Sequence, residues 1–151
     1  HRPLNLEKEF DGCLIGLEYE QRNQLVNRLR MRYNIRYGIG EVFDEYVETY
    51  NRSRIALNWS SRDDLNARTF EAFGMGIPLL TNRVSDLSNF YVEEDHYLGF
   101  DSLDEAEGQF ISMMEDPDAA REMADRAYRK AIASDTWDHR VEQILETCKL
   151  V

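Results

Sequence analysis

Apolar residues recur along this chain in two alternating patterns. Short apolar runs at Gly12-Cys13-Leu14-Ile15-Gly16, Ile55-Ala56-Leu57-Asn58-Trp59, Pro78-Leu79-Leu80-Thr81 and His96-Tyr97-Leu98-Gly99-Phe100 have the length and the glycine or polar borders of buried strands. A further run, Tyr33-Asn34-Ile35-Arg36-Tyr37, closes on Gly38 and Gly40. Between the runs the period changes to that of a helix. Arg22, Leu25, Val26 and Leu29 share one helical face, Phe43, Tyr46, Val47 and Tyr50 share another, and a third helix is expected from about Leu65 to Met75, before Gly76. The last third of the chain reads as helical throughout, with capping chemistry at its boundaries. Ser102 with Glu105 has the spacing of a capping box, and Asp116-Pro117 sets an N-cap before proline at the first helical position. Asp135 precedes a helix that carries Trp137, Val141, Ile144, Leu145 and Cys148.

Parallel strands need crossover connections, and right-handed crossovers place helices on the outside of the sheet. The alternation therefore predicts an α/β, Rossmann-like doubly wound parallel sheet of five to six strands with extra C-terminal helices. Residues 1–9 are expected to form an N-terminal extension or linker, and residues 10–151 a single domain without internal repeats.

Composition narrows the function classes. The 151 residues carry 18 Lys and Arg against 29 Asp and Glu, a formal charge of −11. Nonspecific nucleic-acid binding draws its affinity from phosphate neutralisation, so a field this negative argues against it. The charge is uneven, however. Residues 1–40 hold 7 basic and 5 acidic groups, whereas the remainder holds 11 and 24, so the first third is where an anion is repelled least. Cys13 and Cys148 share no metal-binding or redox spacing, no run approaches the roughly 20 apolar residues of a membrane span, and the start has no apolar export core. These features point to a cytoplasmic domain without a membrane span. No His, Asp and Glu arrangement has metal-ligand spacing, so no metal and no cofactor is expected.

In a sheet of this kind a ligand sits beyond the C-terminal ends of the strands, near the point where strand order reverses. That rule selects the loops Gly16 to Arg22, Gly38 to Val42, Ser60 to Asn66 and Thr81 to Leu87. The densest chemistry runs from Asn58 to Pro78, a strand, an acidic loop and a glycine-rich helix end, with Asp63-Asp64-Leu65-Asn66-Ala67-Arg68-Thr69-Phe70-Glu71-Ala72 at its centre. A helix starting near Asn66 presents unpaired N–H groups and the positive end of its dipole, which suits a phosphate or a set of sugar hydroxyls. Arg68 and Glu71 fall one turn apart, and a carboxylate there can accept two hydrogen bonds from a vicinal diol.

These residues carry a family likeness. From about Phe10 to Leu150 the chain resembles the donor-binding, C-terminal half of GT-B-fold glycosyltransferases, in the group 1-like, spore-maturation-type branch. Its marks are the Asp-Asp, Leu-Asn, Arg-Thr-Phe-Glu-Ala run and two acids with seven residues between them, Asp63 and Glu71, followed by Gly76 and Pro78. The resemblance implies a nucleotide-sugar as donor substrate, probed at Glu71 by the ribose and at Asp63 by the transferred sugar, with Asp64 as a neighbour able to take the second role. It assigns the diphosphate to Gly16 and Arg22, supported by Asn66 and Arg68, and the base to the backbone of Gly38 to Val42. Two departures stand out: Leu17 replaces a cation of the family's phosphate grip, and Asp63 is shorter than the usual Glu. The resemblance also implies a missing N-terminal GT-B domain that binds the acceptor, so that this chain is the donor half of a retaining glycosyltransferase and inactive alone. The alternative is a noncatalytic nucleotide-binding or regulatory module on the same fold. An exposed partner face would favour a weak homodimer.

The remaining features read as structural. Arg28, Arg30, Arg32 and Arg36 form a solvated basic face, His139 a helix-surface residue, and Tyr46 and Tyr50 core or interface material.

Overall fold

The computed structural model describes residues 1–149. Five strands form one parallel sheet: β1 (Phe10–Ile15), β2 (Ile35–Gly38), β3 (Ser53–Asn58), β4 (Leu79–Asn82) and β5 (Leu98–Phe100). Their order is β2-β1-β3-β4-β5. The chain moves outward from β1 to β2, then crosses back over β1 to lay down β3, so the reversal of strand order lies between β1 and β3. Gly12 of β1 is registered against Ile35 on one side and Ile55 on the other.

Alternation along the strands sorts the core into two layers. Cys13 and Ile15 of β1, Ala56 of β3 and Leu79 of β4 face the helices α2 (Phe43–Asn51) and α3 (Ala67–Gly74). Leu14, Ile55, Leu57 and Leu80 face α1 (Glu20–Arg30) and α4 (Leu103–Glu115). The long helix α5 (Pro117–Ser134) serves both layers, giving Ala120 and Met123 to the second and Ala127 and Ala131 to the first. A sheet apolar on both faces requires this double cover.

Residues 1–9 contain no regular element, yet they are tied to the domain. Leu4 N donates to Asn51 Oδ1 at 2.7 Å, and Lys8 Nζ donates to the carbonyls of Asn51 and Ser53, both at 2.8 Å.

The helix boundaries differ from expectation in three places. Phe43 opens α2 with a positive φ of 53° and is 87% exposed, so it does not join the face formed by Tyr46, Val47 and Tyr50. Glu105 closes its box one residue early: Ser102 Oγ accepts from Glu105 N at 3.2 Å, whereas the Glu105 carboxylate accepts from Asp101 N at 2.8 Å. The final helix, α6 (Trp137–Thr147), is capped by Thr136 with His139, not by Asp135, whose carboxylate is taken by Arg140 and by Tyr91 Oη at 2.8 Å. That helix buries none of its residues, leaving Trp137, Val141 and Ile144 exposed. Periodicity identified an apolar stripe, but a stripe does not say what covers it. No helix among the described residues is long and apolar enough to cross a membrane.

Candidate functional site

At the C-terminal ends of β1 and β3, where strand order reverses, the surface opens into a cavity of about 410 Å³. Arg22, Asp64, Asn66, Arg68 and Glu71 all line it, and Gly16 lies beneath two of them. Six of the seven residues selected from sequence are therefore brought together. Asp63 is the exception.

Arg22 is 6% exposed, and its position is fixed from two sides. Its Nε donates to the Trp59 carbonyl and its Nη1 to the Leu17 carbonyl, each at 2.8 Å, while the guanidinium carbon stacks 4.8 Å from the centre of the Tyr19 ring. Arg68 approaches the same point from α3. A Cβ built on Gly16 would stand 2.5 Å from Arg68 Nη2 and 3.1 Å from Arg22 Nη1. Gly16 has φ +151°, and its N–H donates to the Gly38 carbonyl at 2.9 Å, so the turn is both tight and bare. Glycine suits this backbone conformation and leaves the space of a side chain to the two guanidiniums, which any Cβ would displace.

Among the described residues neither Arg22 nor Arg68 has a carboxylate within 4.0 Å, although the chain carries eleven more acids than bases. Burial, and secondarily the neighbouring Arg68, lower the pKa of Arg22. Two adjacent, partly desolvated cations without a counter-charge are costly unless an anion joins them.

Buried polar groups behind the cavity set the position of Arg68. Its Nη1 donates to Asn58 Oδ1 at 2.8 Å, and Asn58 Nδ2 donates to Thr81 Oγ1 at 3.0 Å. Asn66, the N-cap residue of α3, donates to the same Asn58 oxygen at 3.4 Å and does not use its side chain to cap the helix. Asn66 Oδ1 and Arg68 Nε are buried without a partner among the described residues.

Glu71, one turn along α3, is held by α2. Tyr46 Oη donates to Glu71 Oε2 at 2.6 Å, and Oε1 lies 3.7 Å from His1 Nε2. Burial, the adjacent Tyr50 and this hydrogen bond hold the Tyr46 phenol far above its ordinary pKa, so it remains a donor. Asp64 meets the Ser60 hydroxyl at the cavity wall.

Asp63 turns the other way, into a neighbouring cavity of about 530 Å³ beyond β4. Its two carboxylate oxygens accept from Ser85 N at 2.8 Å and Ser85 Oγ at 2.9 Å. These two donors hold its pKa below the ordinary carboxylate value. Ser60 and Ser61 form the partition between the cavities. In the Gly38 to Val42 loop, Glu41 folds back on Gly38 and pairs with Arg36 at 2.6 Å, while Ile39 and Val42 are exposed. Of the predicted basic face, Arg28 pairs with Asp104 and Glu107 and Arg30 donates to the Ile35 carbonyl, while Arg32 is exposed.

Tyr46, Asn58 and Ser85 were given no site role from sequence, although Ser85 lies in the selected Thr81 to Leu87 loop and Asn58 opens the densest cluster. Tyr46 fell on the core face of its helix, and Ser85 lies 22 residues from Asp63, beyond any local spacing. Asn58 did leave a signal, an amide inside an apolar strand. Among the described residues no group of three or more His, Cys, Asp or Glu is placed to hold a metal ion.

Several solved structures share this fold. Sucrose-phosphate synthase from Thermosynechococcus elongatus superposes with a TM-score of 0.72 at 17% identity, over 91% of this chain and 37% of that one. Anabaena HepE in complex with UDP gives 0.72 at 16%, over 92% and 40%. The C-terminal domain of a group 1 family glycosyl transferase (LpcC) from Francisella tularensis gives 0.62 at 8%, over 85% of this chain and 87% of that domain. This chain thus spans about two fifths of the larger proteins and nearly the whole of an isolated C-terminal domain. No curated protein gives a significant match. The family model described as glycosyl transferase-like matches residues 1–146, and the chain belongs to that family, with the fold of one half of a GT-B glycosyltransferase.

Proposed function

We propose that this domain binds the nucleoside diphosphate of a nucleotide-sugar and forms the donor half of a retaining glycosyltransferase whose acceptor is a glycan, a lipid or a small molecule. The observation that carries the reading is the pair of guanidiniums, Arg22 and Arg68, meeting over bare Gly16 without a carboxylate partner among the described residues. A diphosphate supplies the missing charge. Glu71, across the same cavity, is where a ribose diol would be received, and UDP is the ligand in the Anabaena HepE structure of the same fold.

The chemistry follows from the charge. Breaking the bond between the anomeric carbon and the diphosphate develops positive charge on the sugar and negative charge on the leaving group. Fixed cations at the leaving oxygens stabilise that transition state without reorganising. Arg22 is held by two carbonyls and Arg68 by Asn58, so both are set in advance. No step in this scheme calls on a metal. The acceptor and a base for it would come from an N-terminal half.

One observation favours the second reading, a nucleotide-binding module without catalysis. Asp63, the acid implied for the transferred sugar, has both oxygens committed to Ser85 outside the cavity, which leaves Asp64 as the acid at its wall.

The test is a calorimetric titration with UDP, GDP, ADP and TDP and a sugar conjugate of each, on this protein and on Glu71→Ala. One nucleotide is expected to bind selectively and to lose about tenfold or more of its affinity in the variant, the cost of an unmade charge-assisted hydrogen bond. Equal affinity in a folded variant removes the donor-site assignment.

A further inference from the structure

Glu71 is a surface-helix carboxylate on a flexible stem, and a carboxylate free to rotate is a poor reader of sugar hydroxyls. In this structure it is not free. Tyr46 reaches across from α2 and donates its phenol hydrogen to Oε2 at 2.6 Å. The phenol is itself fixed, its ring packed 4.8 Å from that of Tyr50 and edge-on to His1 at 5.4 Å. Tyr50 is fully buried, so the anchor belongs to the rigid core and not to the loop surface.

We infer that Tyr46 is a positioning residue which locks the Glu71 carboxylate in one orientation, with Oε2 hydrogen-bonded and Oε1, which has only His1 Nε2 nearby at 3.7 Å, open to the ligand, and that this lock makes the site selective for ribonucleotides over 2′-deoxyribonucleotides. The inference rests on the donor-site reading given above and adds the source of its sugar selectivity. A carboxylate with one oxygen already satisfied has its remaining acceptor capacity aimed in a narrow range of directions. A ribose hydroxyl that meets it there forms a charge-assisted bond, and the deoxy analogue leaves a half-buried acceptor unpaired. An unlocked carboxylate would turn to water when the hydroxyl is absent, and the penalty for the wrong sugar would fall.

The packing also explains why α2 supplies this group. The hydroxyl must come from a side chain rigid enough to cost little entropy on binding, and a tyrosine fixed by two neighbouring rings meets that need. Phenylalanine at position 46 would keep the ring contacts and lose only the hydrogen bond.

The experiment measures binding of UDP, GDP and ADP, each against its 2′-deoxy counterpart, to the full protein and to Tyr46→Phe, Glu71→Gln and the double variant, with melting temperature as the check on folding. For the nucleotide that binds best, the unsubstituted protein is expected to prefer the ribo form by about tenfold to a hundredfold. Tyr46→Phe is expected to reduce that preference to within about threefold while leaving affinity for the deoxy form unchanged, and to have no further effect in the Glu71→Gln background. A preference that survives Tyr46→Phe while Glu71→Gln abolishes it overturns the lock and leaves the donor site standing. A uniform loss for ribo and deoxy forms, together with a lowered melting temperature, overturns it as well, since that is the mark of packing alone. Nucleotide binding indifferent to Glu71→Gln, or absent from the unsubstituted protein, overturns both.

Discussion

Gly16 lies beneath the cavity, and its conformation is tightly constrained. Two demands meet at one Cα: the chain must turn off the end of β1 with φ +151°, and the guanidiniums of Arg68 and Arg22 lie 2.5 and 3.1 Å from where a Cβ would stand. A methyl group would meet Arg68 Nη2 at 2.5 Å, and the far end of an arginine can swing aside, so the fold should survive. The guanidiniums would then lose their convergence. Gly16→Ala is expected to cost about 1–2 kcal/mol in urea unfolding, in the range of a strained backbone, and to weaken nucleoside diphosphate binding about tenfold or more. Nucleoside binding, which lacks the phosphates, should change far less. Equal losses for the diphosphate and the nucleoside would show that the turn, and not the cationic pair, is what the substitution disturbs. Asn58 illustrates the same economy behind the cavity, since one buried amide positions Arg68, contacts Asn66 and satisfies Thr81.

Elements differ in how much of the fold rests on them. Helix α4 contributes Ala106, Phe110 and Met113 to the core, and α6 contributes nothing buried. What tethers α6 is polar: Arg140 pairs with Asp135 and lies 5.9 and 5.5 Å from the Phe70 and Phe90 rings. A chain ending at Thr136 is therefore expected to unfold cooperatively in urea with a loss of no more than about 1–2 kcal/mol, the scale of a partly exposed ion pair with its cation–π contacts. Phe110→Ala should cost about 3–5 kcal/mol. If the truncation costs as much as the core substitution, α6 packs more tightly than its exposure indicates. The contrast explains what sequence could and could not provide. The five strands, the helices and the cluster of Arg22, Asp64, Asn66, Arg68 and Glu71 were legible because short apolar runs, the 3.6-residue period and the loop rule are local or depend only on topology. Asp63 pointing to Ser85, Tyr46 reaching Glu71 and the uncovered stripe of α6 were not. Each depends on which of two permitted directions a side chain takes, or on a partner far away in sequence.

At the scale of the whole molecule, charge and apolar exposure oppose each other. The chain carries −11, which keeps copies apart at low ionic strength, while Trp137 at 73% exposure, with Val141, Ile144 and Ile132, offers an apolar face along α5 and α6 that nothing in the described residues covers. Two of the solved structures with this fold are about two and a half times as long as this chain, and a third is of similar length. Apolar surface of this kind tends to find a partner, here a second copy. Screening decides how far. At ionic strength near 0.01 M the Debye length is about 30 Å and repulsion between two such anions reaches across a dimer, whereas at 0.15 M it falls to about 8 Å and the contact surface is felt without it. Sedimentation of residues 1–151 is therefore expected to show a monomer at low salt and a weak, reversible monomer to dimer equilibrium at moderate salt. Trp137→Glu removes the largest apolar contact and adds charge to it, so it should return the protein to monomer under both conditions without lowering its melting temperature, because Trp137 packs in no core. A strict monomer at high concentration and moderate salt would show that these side chains are too scattered to act as one surface, and a dimer indifferent to Trp137→Glu would move the contact to another face.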